Sequence, residues 1–178
     1  MKTRTLFLAL TLLLPLVARA DDDDDDDDRR EHPGKNERSR PAAPGLLASV
    51  QGKEYAKECG SCHLAFPPQM LPARSWSALL GGLSNHFGQN AEVDAVTLKH
   101  LRDFLEVTAG PEVSGPAPLR ITELRWWRRE HDEVSPAVFK RKAILTPANC
   151  GACHPGANNG AFGEHQVQIP SANAPAPR

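Results

Sequence analysis

Two short motifs of the same type contain all four cysteines of the 178-residue chain. They read Cys-Gly-Ser-Cys-His at 59–63 and Cys-Gly-Ala-Cys-His at 150–154. This pattern is the signature of covalent c-type haem attachment. Two thiols three positions apart on one helical turn can add to the vinyl groups of one porphyrin, and the histidine that follows can bind its iron. We therefore predict two haem c groups, bound covalently by Cys59, Cys62, Cys150 and Cys153 and ligated on the proximal side by His63 and His154.

Other uses of paired cysteines fit the motifs less well. A zinc site built from two Cys-x-x-Cys pairs would not need a histidine directly after each pair. A thioredoxin-like dithiol would occur once, within a βαβ pattern that the sequence does not have, and a simple disulfide framework leaves both histidines unexplained.

The second axial position of each iron decides whether a haem carries electrons or binds a ligand. Of the seven histidines, His63 and His154 are assigned to the proximal side and His32 lies in a polar N-terminal stretch, which leaves four candidates for the distal ligands. They are His86, His100, His131 and His165. Methionine is the other common ligand, but Met70 follows Cys62 by only eight residues on the proximal side, which disfavours a distal role.

Two of these histidines have neighbours that favour a haem pocket. The pattern predicts a helix capped by Ser75, and His86 follows the leucines of its apolar face. His131 follows a tryptophan pair and an arginine cluster, which are suited to a porphyrin and its propionates. His100 lies off the apolar stripe of its helix among charged residues, and His165 lies in a polar stretch near the C-terminus.

The sequence favours His86 and His131 as the distal ligands. Our working assignment pairs His63 with His86 and His154 with His131, because each pair is separated by about 20 residues, enough for a helix to fold back over the porphyrin. The reverse pairing remains open at this stage, since helix spacing does not exclude it.

The pattern of the chain predicts an all-α protein with short helices packed around two haems. Proline and glycine interrupt the helical patterns, and no alternating strand pattern occurs. Helices are predicted at 54–62 and 92–108, the second with a regular apolar stripe. We predict a haem domain at 47–170, made of halves at 47–110 and 119–170, and a frayed C-terminus at 171–178.

The N-terminal region predicts export. Residues 1–20 combine basic residues, a 12-residue apolar run and a small-x-small end, as in a secretory signal peptide. Residues 21–46 begin with eight aspartates and have no apolar run to bury, so we predict a disordered acidic tail. The mature protein is therefore expected in the periplasm, without stable membrane insertion once the signal is cleaved. Nothing in the composition points to nucleic acid.

From about residue 57 to residue 169 the chain resembles the small periplasmic dihaem cytochromes c of bacteria. The resemblance is carried by 58–63 with Pro67-Pro68, by 71–76, by 86–91, by 120–123 with Trp126-Trp127 and His131, and by 150–154. It implies low-spin haems with two histidine ligands, His86 and His131 being the distal ones. It also implies partners, a membrane cytochrome b and an oxygen-binding monohaem cytochrome c.

Three functions are compatible with a dihaem chain. The first is an electron carrier, not an enzyme, in which both irons are six-coordinate. The second is a dihaem enzyme of the peroxidase or nitrogen-oxide reductase type, which needs an open iron beside acid–base groups. The third is a haem-based ligand sensor. The chain is short for an enzyme, has enough histidines to close both irons and lacks an acid–base constellation, so the carrier is favoured.

Overall fold

The structure is a computed structural model that describes residues 45–176. Its α-helices are α1 (Val50–Cys59), α2 (Ala73–Gly81), α3 (Ala95–Thr108), α4 (Arg125–Glu130) and α5 (Pro136–Phe139). Short 3-10 helices lie at Pro68–Met70, Leu83–Asn85, Ile121–Glu123, Cys150–Ala152, Ala157–Asn159 and Glu164–Gln166. Within residues 45–176 there is no strand, only isolated bridges between Pro72 and Gly110 and between His86 and Gln89. The predicted all-α fold class is confirmed.

The predicted signal peptide at 1–20 lies outside the described residues, as do most of the acidic tail at 21–46 and the last two residues. No helix among the described residues is long and apolar enough to cross a membrane.

Helix α1 differs from the predicted helix at both ends. It begins at Val50 because the hydroxyl of Ser49 accepts a hydrogen bond from the N–H of Gly52 (2.9 Å) and so caps the first turn. It ends at Cys59, and the hydroxyl of Ser61 donates to the carbonyl of Glu58 (2.9 Å) in the turn that follows. The first haem motif is therefore only partly helical.

The core lies between α1, α2 and α3. Its buried side chains include Tyr55, Leu71, Trp76, Leu80, Leu101, Phe104, Leu105, Ile121 and Leu124. The phenol of Tyr55 donates to the carbonyl of Phe66 (2.6 Å), and the indole of Trp76 donates to the carbonyl of Pro68 (2.8 Å). Buried polar atoms of both rings are thus paired, as burial requires.

Helix α3 forms where the apolar stripe predicted it. The carboxylate of Asp94 caps its first turn by accepting from the N–H groups of Val96 and Thr97. Its apolar stripe is buried against α1 and α2.

Helix α2 shows that the predicted cap at Ser75 is wrong. Pro72 is the N-cap residue, and Ser75 lies inside the helix, fully buried. The helix ends at Gly81 because the glycine pair Gly81-Gly82 favours the end of a helix over its interior. His86 consequently lies beyond the helix and not on its apolar face, which corrects the reasoning that selected it.

Residues after α3 pack back onto the first three helices. Ile121 and Leu124, from the start of the second half, belong to the same buried cluster as the residues of α1 to α3. Arg74 of α2 holds the intervening linker, since its guanidinium contacts the carboxylate of Glu112 (2.8 Å) and donates to the carbonyl of Gly115 (2.6 Å).

Candidate functional site

The first haem motif lies at the end of α1 and in the turn that follows. Cys59 is half-buried as the last helical residue, while Cys62 and His63 are exposed. The Nδ1–H group of His63 donates to the carbonyl of Leu64 (2.7 Å). A carbonyl can only accept, so this bond places the proton on Nδ1 and leaves Nε2 of the neutral ring available to a metal.

The second haem motif begins with the 3-10 helix Cys150–Ala152. The N–H of His154 donates to the carbonyl of Cys150 (2.8 Å), which closes the turn and brings the histidine back towards the first cysteine. Upstream, the side-chain amide of Asn149 donates to the carbonyl of Ile144 (3.0 Å) and anchors the motif to a fully buried residue.

None of the four cysteines forms a disulfide within residues 45–176. Burial raises the pKa of Cys59 to about 11, with the charge of Glu58 adding to the effect. Burial likewise raises the pKa of Cys150 to about 11. Before haem attachment, the first thiol of each motif is thus biased towards the protonated form, which is slow to form a disulfide.

The structure brings each motif histidine to one histidine outside the motifs. The ring centres of His63 and His86 are 6.2 Å apart, with 20° between the ring planes. The ring centres of His131 and His154 are also 6.2 Å apart, with 70° between the planes. Among the described residues, the pairs join the same histidines as the working assignment from the sequence.

The separation within each pair fits two ligands on opposite sides of one metal. Because an imidazole nitrogen lies about 2 Å from the metal it binds and the ring centre about 1 Å further out, such rings have centres about 6 Å apart. Ordinary aromatic pairs span a range of about 4.5–7 Å, so the distance alone is not specific. The specific feature is that both pairs contain one motif histidine and one histidine from elsewhere in the chain.

Two cavities border the first pair. One of about 750 Å³ is lined by Gly60 and His63 of the first motif and by Asn158, Asn159 and Gly160 from the segment after the second motif. A smaller one of about 200 Å³ lies beside His86 and Phe87. The larger volume lies in the range of sites that hold small molecules and cofactors.

A tight turn presents His86. After α2, the 3-10 helix Leu83–Asn85 leads into this turn, in which the backbone N–H and carbonyl of His86 both form hydrogen bonds with the backbone of Gln89. Burial lowers the pKa of His86, and the charges of His63 and Arg120 lower it further. The ring is therefore biased towards the neutral form that binds metals.

His131 lies at the C-terminal end of α4, which positions it in two ways. Its Nδ1–H donates to the carbonyl of Trp127 (2.9 Å), one turn earlier in the helix. Its ring also stacks on that of Trp127, with centres 4.3 Å apart and 15° between the planes. Phe139 of α5 packs against Trp127 with ring centres 5.8 Å apart and supports the stack.

His154 has a buried imidazole nitrogen. Its Nδ1 is buried and has no hydrogen-bond partner within residues 45–176. Burial lowers its pKa, and the charge of His131 lowers it further, so this ring too is biased towards the neutral form.

The other candidate ligands lie elsewhere. His100 on α3 contacts Glu54 of α1, with its Nδ1 3.3 Å from the carboxylate. His165 is exposed in the last 3-10 helix, and Met70 packs against the core. His32 lies outside the described residues.

Aromatic neighbours of the motif histidines were missed in the sequence. Phe66 lies with its ring centre 5.3 Å from that of His63, and Phe162 lies 5.2 Å from His154. Phe66 follows its histidine by three residues and Phe162 by eight, so no common spacing marks them.

Comparison with known proteins finds similarity to dihaem cytochromes c. The family model that matches, over residues 55–162, is the one described as dihaem cytochrome c. No match was found among curated proteins.

Solved structures of dihaem cytochromes match as well. A dihaem cytochrome c from Rhodobacter sphaeroides is 41% identical, with a TM-score of 0.58, and the match covers 64% of this chain and 98% of that chain. A dihaem cytochrome c from Shewanella baltica OS155 is 35% identical, with a TM-score of 0.62, and the match covers 68% of this chain and 94% of that one.

Proposed function

Since the chain belongs to the dihaem cytochrome c family and so has two haem c groups, we propose that it is a periplasmic electron carrier in which each iron has two histidine ligands. In this proposal Cys59 and Cys62 bind the first haem, and Cys150 and Cys153 bind the second. When bound, each haem supplies a one-electron ferric/ferrous couple.

The observation that carries the proposal is the pairing of histidines. His63 faces His86, and His154 faces His131, at the same separation of 6.2 Å. With two imidazoles per iron, no position is left open for a substrate or gas, which favours electron transfer over catalysis or sensing. Two imidazoles also favour the ferric state more than histidine and methionine do, so low reduction potentials are expected.

The protein holds these four rings ready by local contacts. The backbone carbonyls of Leu64 and Trp127 fix the protons of His63 and His131 on Nδ1. Each of the four histidines also has an aromatic neighbour within 5.3 Å, measured between ring centres. Rings held in place beforehand need little rearrangement when the iron changes oxidation state, and that is what an electron carrier requires.

The proposed location and partners come from the sequence. The leader at 1–20 supports export, and covalent haem attachment in bacteria takes place outside the cytoplasm. The family resemblance supports a membrane cytochrome b as one redox partner and an oxygen-binding monohaem cytochrome c as the other.

Carbon monoxide tests the closed coordination of both irons. We expect the fully reduced protein to show no change in its Soret spectrum under carbon monoxide, because each ferrous iron already has two strong ligands. Binding of carbon monoxide by one of the two haems would contradict the proposal and favour a dihaem enzyme or a ligand sensor.

A further inference from the structure

The turn that presents His86 has an unusual backbone. The N–H of His86 donates to the carbonyl of Gln89 (2.7 Å), and the N–H of Gln89 donates back to the carbonyl of His86 (3.1 Å). Both residues between them have positive φ angles, 52° for Phe87 and 94° for Gly88. This is the geometry of a type I′ turn, which strongly prefers Asn-Gly at its centre.

Phenylalanine is a poor residue for the first central position. A positive φ brings Cβ close to the backbone, so bulky residues are rare there and asparagine is far better tolerated. The backbone is nevertheless held in place, because the side chain of Asn85 accepts from the N–H of Gly88 (3.1 Å) and the N–H of Ala91 donates to the carbonyl of Leu83 (2.8 Å). Strain that the surrounding bonds maintain is characteristic of functional positions.

The ring of Phe87 contacts the side chains of His86 and Arg120. It lies edge-on to the imidazole of His86, with ring centres 4.8 Å apart and 64° between the planes. The guanidinium carbon of Arg120 lies 4.0 Å from the centre of the same ring. That distance is typical of a cation–π contact.

Arg120 is well anchored for holding the ring. It directly precedes the 3-10 helix Ile121–Glu123, and the side chain of Ile121 is buried in the core. The guanidinium also lies 3.9 Å from the carboxylate of Glu123. A residue from the second half of the domain therefore reaches the turn that presents a histidine of the first half.

We propose that Phe87 and Arg120 position His86 as the distal ligand of the first haem. Arg120 holds the ring of Phe87, and the ring holds the imidazole in the orientation that faces His63. The inference rests on the proposed function, in which His86 is an axial ligand. It explains why a strained aromatic residue occupies a position that asparagine would fill without strain.

The key experiment is Phe87→Asn in the full-length holoprotein. Asparagine suits the turn, so the thermal midpoint should stay the same or rise, while loss of the ring should let His86 leave the iron. We expect the affinity of ferric protein for cyanide to rise about tenfold, the effect of losing contacts of this kind. Carbon monoxide should bind a fraction of one reduced haem. If Phe87 only stabilised the fold, the thermal midpoint of Phe87→Asn would fall together with the retention of His86 on the iron.

Four further variants make the test specific. Phe87→Tyr keeps the ring and should restore wild-type resistance to cyanide. Arg120→Gln should also raise the affinity for cyanide. The double variant should bind cyanide no more tightly than Phe87→Asn alone. Leu145→Asn is the matched control, because Leu145 is the other non-glycine residue with positive φ (71°) within residues 45–176. It should relieve strain without opening either iron.

The outcomes separate this inference from the proposed function. If His86→Ala leaves both haems low-spin, the ligand assignment itself is wrong. If His86→Ala opens one haem but Phe87→Asn binds cyanide as wild type does, only the positioning role is wrong. Additive effects of the Arg120 and Phe87 changes would show that Arg120 acts independently of the ring, which also contradicts the inference.

Discussion

Removal of one distal histidine should open one iron and leave the other closed. The pairs His63–His86 and His131–His154 share no residue, so each variant loses one axial ligand from one haem. We expect His86→Ala and His131→Ala each to bind carbon monoxide at half of the total haem. The double variant should bind it at both haems.

The two variants should differ in stability. His131→Ala loses the hydrogen bond to the carbonyl of Trp127 and the stacking on its indole, contacts of about 1 kcal/mol each. For a domain of this size, about 2 kcal/mol corresponds to a fall in the melting temperature of roughly 6–10 °C beyond the effect of losing the iron bond. His86→Ala loses a single edge-on contact with Phe87, so its additional fall should be about half as large.

The assay is a carbon monoxide titration of the reduced protein, read in the Soret band, with melting followed by circular dichroism. His100→Ala and His165→Ala are the controls, since the first ring contacts Glu54 on the opposite helix and the second is exposed. Both should bind no carbon monoxide. The reasoning is refuted if either control opens an iron while His86→Ala stays low-spin, or if one distal variant opens both haems.

Three other results are expected. Mass spectrometry of the mature protein should find a mass increase of two haems, and a single haem would contradict the dihaem assignment. Tyr55→Phe should cost about 1 kcal/mol of unfolding free energy by removing the hydrogen bond to the carbonyl of Phe66, and an unchanged melting temperature would contradict this. Hydrogen bonds from the side chain and the backbone N–H of Thr97 lower the pKa of Asp94. The stabilisation by Asp94 should therefore be complete above the unfolded pKa, near 4, and be lost as pH falls through the lower folded pKa. The melting temperatures of wild type and Asp94→Ala should thus converge in acid. A difference that stays constant with pH would contradict the capping role.

Local patterns were enough to predict the haems and the fold class. The motif chemistry depends on residues adjacent in sequence, and the all-α class depends on helical spacing and on proline and glycine. Helix α3 was predicted because its apolar stripe lies within one short segment, although it begins at Ala95, three residues later than predicted, after a cap at Asp94 that was not identified from the sequence.

The way in which the distal ligand His86 is positioned was not predictable from local sequence patterns. The apolar pattern of α2 continues to Leu83, but the pair Gly81-Gly82 ends the helix and the strained turn at Phe87 then presents His86. His86 was favoured because the sequence pattern placed it on the apolar face of α2, where it does not lie. The contact of Arg120 with Phe87 joins residues 33 positions apart, and no local spacing predicts such a contact.

The central claim is that two histidines ligate each iron, and electron paramagnetic resonance of the oxidised full-length protein tests it most directly. Four imidazoles on two ferric ions predict low-spin signals from both haems, together equal to twice the protein concentration, with no signal near g = 6. A high-spin signal from one haem would contradict the claim.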